Sequence, residues 1–351
     1  MSTPTSESVS YETDGRIGLI ELNNPPVNAA SHHLRDGLMQ AVQALGAQQG
    51  VEAIAIYGAA RAFIAGADIR EFGQPPVEPI LPAVCNAIED CAVPVVAILH
   101  GPTLGGGLEV ALAAHARVAL PGTVTGFPEV TLGIIPGAGG TQRAPRLIGI
   151  PATLDLATTG RRIDAEEALK IGLVDRIMDA PPREAALAAA AEVLRGTLAA
   201  RRTRDLVTTP DPDTIERMAQ KLAAEEPHLF APHRCVEAIA VSTGALDRGI
   251  ARERKLFTQC LDSPQRAALI HAFFAERAVR KFPERDAAPR KVARIGVVGG
   301  GTMGSGIATA ALLAGFPVAL AEQDAAALDR AFAAISKNLD GAVKRGKVEA
   351  D

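Results

Sequence analysis

Short apolar runs closed by glycine recur along this chain, and segments with helical periodicity follow them. Residues 51–57 lie between Gly50 and Gly58, and residues 93–99 run into Gly101. A strand with one face in water alternates apolar and polar side chains, so runs this short and this apolar are strands covered on both faces. Their alternation with helices requires an α/β architecture in which helices cover the sheets. The first eight residues are polar and are expected to be disordered. Strands are expected at 9–13 and 16–22 across the turn Asp14-Gly15, then a helix at 31–45 with Ser31 as its N-cap. Another helix is expected at 83–90. A loop at 100–104 then leads into a helix at 105–114, a strand at 117–120 and a loop at 126–129. From 164 to 280 the pattern is mostly helical, with breaks at Pro181-Pro182 and 209–213.

Composition removes several function classes. The net charge of −4 and the scarcity of aromatic residues leave neither a basic footprint nor stacking platforms for nucleic acid. No apolar run approaches the roughly 18 residues of a membrane span, and the opening segment has no signal-peptide core. The chain ends Glu349-Ala350-Asp351, which is no peroxisomal address, so a soluble cytoplasmic protein is expected. Cys85, Cys91, Cys235 and Cys260 show no C-x-x-C spacing and are expected to be reduced thiols in or near the core. No metal site is expected.

The chemistry concentrates in four segments. Three glycines, Gly105 to Gly107, precede Leu108 and Glu109. They let backbone approach a ligand closely and present the free N–H groups of a helix start. Glu109 falls in the first helical turn, where the dipole favours an ionised carboxylate suited to a base. Glu129 follows Phe127 and Pro128 in apolar surroundings, where burial would keep its carboxyl protonated, as an acid requires. Two carboxyl groups in unlike environments provide an acid and a base at one pH. His100, at a strand end beside glycine, reads as structural, and Asp68 as a loop brace or cap rather than a third acid.

Ala65-Gly-Ala-Asp68, Gly105-Gly-Gly-Leu-Glu109, Pro128-Glu129 and Pro136-Gly-Ala-Gly-Gly-Thr-Gln-Arg143, in this order, resemble the crotonase superfamily and within it the enoyl-CoA hydratases. The resemblance spans residues 9–260, and Glu109 and Glu129 are twenty positions apart, the hydratase spacing. It implies hydration of a trans-2-enoyl-CoA thioester to 3-hydroxyacyl-CoA in fatty-acid β-oxidation, without a cofactor. The thioester oxygen would face an oxyanion hole made by the N–H groups of Ala67 and Gly106. Glu109 would activate water and Glu129 would protonate the α-carbon. The resemblance also implies substrate contacts at Ala65, Asp68 and Gly137, with Arg61 a candidate near the CoA phosphates. Δ3-Δ2-enoyl-CoA isomerisation at the same site, or an inactive acyl-CoA-binding remnant, are the alternatives. A homotrimer, or a thiolase partner in a β-oxidation complex, is the implied assembly.

Charge and proline mark a boundary at 281–291. Beyond it a strand at 293–298 meets Gly299, Gly301 and Gly304 in the G-x-G-x-x-G pattern, which opens a helix at 302–314. A second strand, at 318–322, closes on Glu322. In that context the pattern is a dinucleotide fingerprint, with Glu322 placed for a ribose hydroxyl of NAD. The stretch resembles the start of 3-hydroxyacyl-CoA dehydrogenase, and the domain order is similar to that of multifunctional β-oxidation proteins. Only 60 residues follow Lys291, under half of what a dinucleotide domain usually needs, so an N-terminal part of a larger protein is expected. NAD would serve only a complete dehydrogenase domain; weak binding and no dehydrogenase activity are expected here. The whole chain is therefore read as disordered residues 1–8, a crotonase-type ββα spiral at 9–190, and a helical C-terminal part and linker at 191–291. An incomplete Rossmann-like βαβα segment at 292–351 completes it.

Overall fold

The structure is a computed structural model and describes residues 3–59, 61–71, 74–279, 281, 287–288, 290–346 and 348. The chain divides into two units, Met1–Val279 and Arg280–Asp351.

The first unit is built on a seven-stranded sheet. The strands β1 (Thr3–Ser6), β2 (Val9–Asp14) and β3 (Ile17–Leu22) pair antiparallel; β4 (Ala53–Gly58), β5 (Val95–Leu99), β7 (Ala116–Ala119) and β10 (Arg176–Ile177) extend the sheet in parallel. β1 corrects the expectation of a disordered start for residues 3–6, and residues 1–2 lie outside the described residues. A polar, proline-bearing segment is acceptable there because β1 is an edge strand and the hairpin with β2 supplies its hydrogen bonds.

Both faces of the parallel strands are covered, as their unbroken apolar runs require. Ile54 and Ile56 face one core with Leu34, Leu38 and Leu45 of α1 (His32–Ala47). Ala53, Ala55 and Tyr57 face the other, closed by Ala185, Ala186, Ala189 and Ala190 of α6 (Pro182–Leu194). Small alanines on α6 let the helix lie close on the sheet. Ser31 stands at the N-cap of α1 but makes no capping bond; its hydroxyl accepts from Asn24 Nδ2, and the first helical N–H goes to Glu71 instead, His32 N to Oε1 at 2.7 Å.

A second sheet joins β6 (Pro102–Leu104), β8 (Val124–Gly126) and β9 (Arg162–Asp164). β6 and β8 replace parts of the expected loops at 100–104 and 126–129. Their main-chain pairing is dictated by neighbours distant in sequence, which local periodicity does not report. The units β5-β6-α3 and β7-β8-α4 are thus ββα modules, with α3 at Gly106–Ala113 and α4 at Gly140–Thr159. α4 is broken at Gly149, whose φ of 77° leaves the helical region. The helices α8 (Ala231–Ala240) and α9 (Leu246–Leu261) pack on α4, and Gly249 brings α9 so close that a Cβ would stand 2.1 Å from Gln142 Oε1.

The second unit has two parallel strands, β11 (Ile295–Val298) and β12 (Val318–Ala321), with α11 (Thr302–Leu313) and α12 (Ala325–Lys344). Its core is small, centred on Val297, Ala308 and Ile335. Among the described residues no helix is long and apolar enough to cross a membrane.

Candidate active site

The glycine run at the start of α3 is fixed by three close approaches. Gly105 has φ +52°, and a Cβ there would stand 2.5 Å from Glu129 Oε1. A Cβ on Gly106 would meet Leu81, with the Ala67 nitrogen 3.5 Å away. On Gly107 it would overlap the Ile64 carbonyl at 1.9 Å. The glycines therefore bring Ala67, Gly106 and Glu129 to one place. Gly106 is the first residue of α3, so its N–H has no acceptor within the helix. Ala67 is exposed and bridges to Ala30, through the Ala30 N–H and the Gly66 carbonyl at 2.9 Å.

Glu109 is buried, and its Oε1 accepts from the N–H groups of Ala138 at 2.6 Å and Gly140 at 2.8 Å. Burial raises its pKa; those two donors, the nearby Arg143 charge and the Gly137 N–H oppose the rise. The ionised form of Glu109, in the first turn of α3, is thus also supported by donors from the N-terminal segment of α4. Gly140 leaves the space for this, since a Cβ would stand 2.8 Å from Glu109 Oε1. Arg143 grips the same segment from behind, donating to the Ala138 carbonyl at 3.0 Å and pairing with buried Glu89 at 2.8 Å.

Glu129 sits in a 3-10 turn, Pro128–Leu132, and its Oε2 is buried with no hydrogen-bond partner among the described residues. Burial, and next the charge of Glu109, hold its pKa well above the ordinary carboxylate range. The two carboxyls therefore stand in unlike environments: Glu109 Oε1 accepts from two backbone N–H groups, whereas Glu129 Oε2 has no partner among the described residues.

The remaining candidates are placed less alike. Asp68 is buried and held bidentate by Arg70, with Nη2 to Oδ2 at 2.7 Å, and that bonding lowers its pKa. It braces the loop. The Ala65 N–H donates to the Val27 carbonyl at 3.1 Å. Arg61 is exposed, and its carbonyl lies against Gly101. Gly137 packs under the Phe257 ring, where a Cβ would stand 2.6 Å from Cδ2. His100 is buried, and its carbonyl accepts from Phe63. Among the described residues no group of three His, Cys, Asp or Glu is arranged to hold a metal ion.

Sequence reasoning missed Glu253. It is wholly buried on α9 and accepts from Gly139 N–H at 2.7 Å, Thr141 N–H at 2.9 Å and the Thr141 hydroxyl at 2.5 Å. A signal existed: the buried stripe of α9 runs Leu246, Gly249, Glu253, Leu256, Cys260, and a carboxylate in an apolar stripe at helical spacing calls for a partner.

In the second unit, Gly299 has φ +87°, and a Cβ on Gly304 would overlap the Gly299 carbonyl at 1.7 Å. At Gly301 a Cβ would meet open space, so the loop leaves room beside the start of α11 for a pyrophosphate. Glu322 Oε1 accepts from the Gly300 N–H and Oε2 from the Gln323 N–H. These residues fit the dinucleotide pattern, with Glu322 engaged in holding the glycine loop.

Residues 12–226 match the family described as enoyl-CoA hydratase/isomerase. The chain belongs to that family. Residues 294–351 match the 3-hydroxyacyl-CoA dehydrogenase, NAD binding domain. This hydratase/isomerase-family chain is 40% identical over 337 residues to the peroxisomal bifunctional enzyme of Cavia porcellus, covering 92% of this chain and 46% of that protein. It is 35% identical over 374 residues to the peroxisomal fatty acid beta-oxidation multifunctional protein AIM1 of Arabidopsis thaliana, covering 100% and 51%. The chain spans about half the length of these curated relatives. The solved enoyl-CoA hydratase/isomerase structure from Pseudoalteromonas atlantica T6c shares the fold, at TM-score 0.58 and 21% identity, over 82% of this chain and 100% of that one. The α/β fold with ββα modules is thus of the crotonase type, followed by a short Rossmann-like part.

Proposed function

We propose that the Glu109–Glu129 site hydrates trans-2-enoyl-CoA to 3-hydroxyacyl-CoA in fatty-acid β-oxidation. The observation that carries this reading is a pair of carboxyls in unlike environments: Glu109, buried and held by backbone donors, and half-buried Glu129, whose Oε2 is buried without a partner among the described residues. In the reaction the thioester oxygen lies against the N–H groups of Ala67 and Gly106. Donors aimed at the developing enolate each contribute roughly 3–4 kcal/mol to lowering the barrier. Glu109 takes a proton from water as the water oxygen bonds to the β-carbon and the C=C π pair moves to the α-carbon. Glu129 delivers a proton to the α-carbon. Its raised pKa supports that role, because the protonated carboxyl is the form that burial favours. Ala65, Asp68, Gly137 and Arg61 belong to the proposal as the wall around the acyl-CoA; Asp68 acts through Arg70.

No cofactor takes part in hydration. Gly299, Gly301, Gly304 and Glu322 would hold the pyrophosphate and a ribose of NAD, which supplies hydride chemistry when bound. With Glu322 Oε1 already engaged by the Gly300 N–H, weak NAD binding is expected. A cytoplasmic location and a homotrimeric or thiolase-bound assembly complete the reading, and sedimentation of the purified chain with and without thiolase addresses the assembly. The function itself is tested by following loss of the conjugated thioester absorbance of crotonyl-CoA. Turnover in the wild type that disappears in Glu109→Gln and Glu129→Gln supports it; a folded wild type inert toward short and long enoyl-CoA rejects it.

A further inference from the structure

The N–H groups of residues 138–141 are divided between two carboxylates in alternation. Ala138 and Gly140 donate to Glu109 Oε1, and Gly139 and Thr141 donate to Glu253. Consecutive donors at a helix start have no acceptor within the helix and must find partners outside it. Here the partners lie on α3 and on α9, so each carboxylate determines where the other's donors point. We propose that Glu253 is a positioning residue for the acid–base pair: by taking alternate N–H groups it aims the intervening ones at Glu109 and sets the orientation of that carboxylate. The proposal rests on the hydratase reading of Glu109 and Glu129.

Three features make this more than core packing. Glu253 uses both oxygens, one on the Gly139 N–H and the other on the Thr141 N–H and hydroxyl, so its carboxylate plane is fixed. A leucine in its place would leave the buried N–H groups of Gly139 and Thr141 without an acceptor. When ionised, Glu253 also adds negative charge beside the pair. Glu109 from α3, Glu129 from the 3-10 turn, Arg143 from α4, Cys85 from α2 (Leu81–Glu89) and Cys235 from α8 are the groups coupled to it. Burial, and next the Glu109 charge, push Glu253 itself up to about 8, so its charge raises Glu129 only once Glu253 has ionised, on the basic side of the profile.

The test uses the full chain with Glu253→Gln, which keeps the volume and leaves one acceptor oxygen. Backbone amide exchange is read at Ala138 and Gly140, whose partner Glu109 is untouched. Exchange there is expected to quicken about tenfold, because opening of the segment becomes easier. The value of kcat for crotonyl-CoA is expected to fall about tenfold, with KM within about twofold, as for an interaction that matters only in the transition state. The basic limb of the pH–rate profile is expected to move to lower pH, since the charge that favours protonated Glu129 is gone. Faster exchange confined to Gly139 and Thr141, with kcat and the limb unchanged, overturns the proposal. If Glu253→Gln does not fold, Thr141→Val removes the hydroxyl bond to Glu253, together with the one the hydroxyl accepts from Gln142 Nε2; unchanged exchange at Ala138 and Gly140 in that variant also overturns it. A wild type without hydratase turnover rejects the hydratase reading alone, because the exchange measurement still decides whether Glu253 positions the segment.

Discussion

Both units carry a glycine run ahead of a helix, and the two runs are glycine for different reasons. In the first unit the space a Cβ would take at Gly105, Gly106 and Gly107 is filled by the protein itself: Glu129, Leu81 and the Ile64 carbonyl. In the second, Gly304 is closed by the Gly299 carbonyl while Gly299 and Gly301 open onto empty space, and Val298 beside them is 90% exposed. The first run is set by an assembled site, drawing on α3, α4, α9, the 65–68 loop and the turn bearing Glu129. The second is set by its own turn, with Ala331 and Glu322 closing on Gly300, and leaves Gly299 and Gly301 open. A glycine motif thus specifies backbone shape, and the surrounding elements decide whether that shape becomes a site.

That contrast can be broken at several points. The largest effect is expected from Glu109→Gln or Glu129→Gln, each lowering kcat by about a hundredfold to ten-thousandfold, as loss of a general acid or base does. Steady-state kinetics with crotonyl-CoA measures it, and no change in Glu322→Gln would show that the two units act separately. Next, Gly107→Ala puts a methyl against the Ile64 carbonyl and is expected to destabilise the first unit by about 3 kcal/mol in urea unfolding.

Third comes pH. On the proposed mechanism the rate needs Glu109 ionised and Glu129 protonated. It should therefore fall as pH drops through the lower apparent pKa and fall again as pH rises through the upper one, by about tenfold per unit beyond each limb. Both groups are raised, Glu129 the more, so the two limbs are those of the coupled pair and lie above the ordinary carboxylate range. A rate that still climbs through high pH would remove Glu129 as the acid. The smallest effect is expected at Gly299→Ala, where no atom obstructs a methyl and only the positive φ is unfavourable; about 1 kcal/mol is lost, from the second unit alone.

The same contrast explains what was readable in the sequence. Buried strands such as Ala53–Gly58 announce themselves because an unbroken apolar run between glycines has few other meanings. Glu109 and Glu129 were legible from the motifs around them. Why Glu109 can stay ionised was not, since its donors at Ala138 and Gly140 come from a different helix. Glu253 was hidden for a related reason: 114 residues separate it from Gly139, and its role appears only when α9 packs on α4. β6 was not readable because its pairing is with a strand distant in sequence, and Ser31, at the N-cap position as expected, leaves the first helical N–H to Glu71. Local pattern reports the elements; the acceptor for a given N–H is chosen by the fold.

The most direct test of the acid–base pair is the fate of crotonyl-CoA in water labelled with heavy oxygen and deuterium, read by mass spectrometry of the product. The account predicts one labelled oxygen on the β-carbon and one deuteron on the α-carbon in the wild type, with both lost in Glu109→Gln and Glu129→Gln. Deuteron uptake without oxygen, or full incorporation of both labels in either variant, would contradict it.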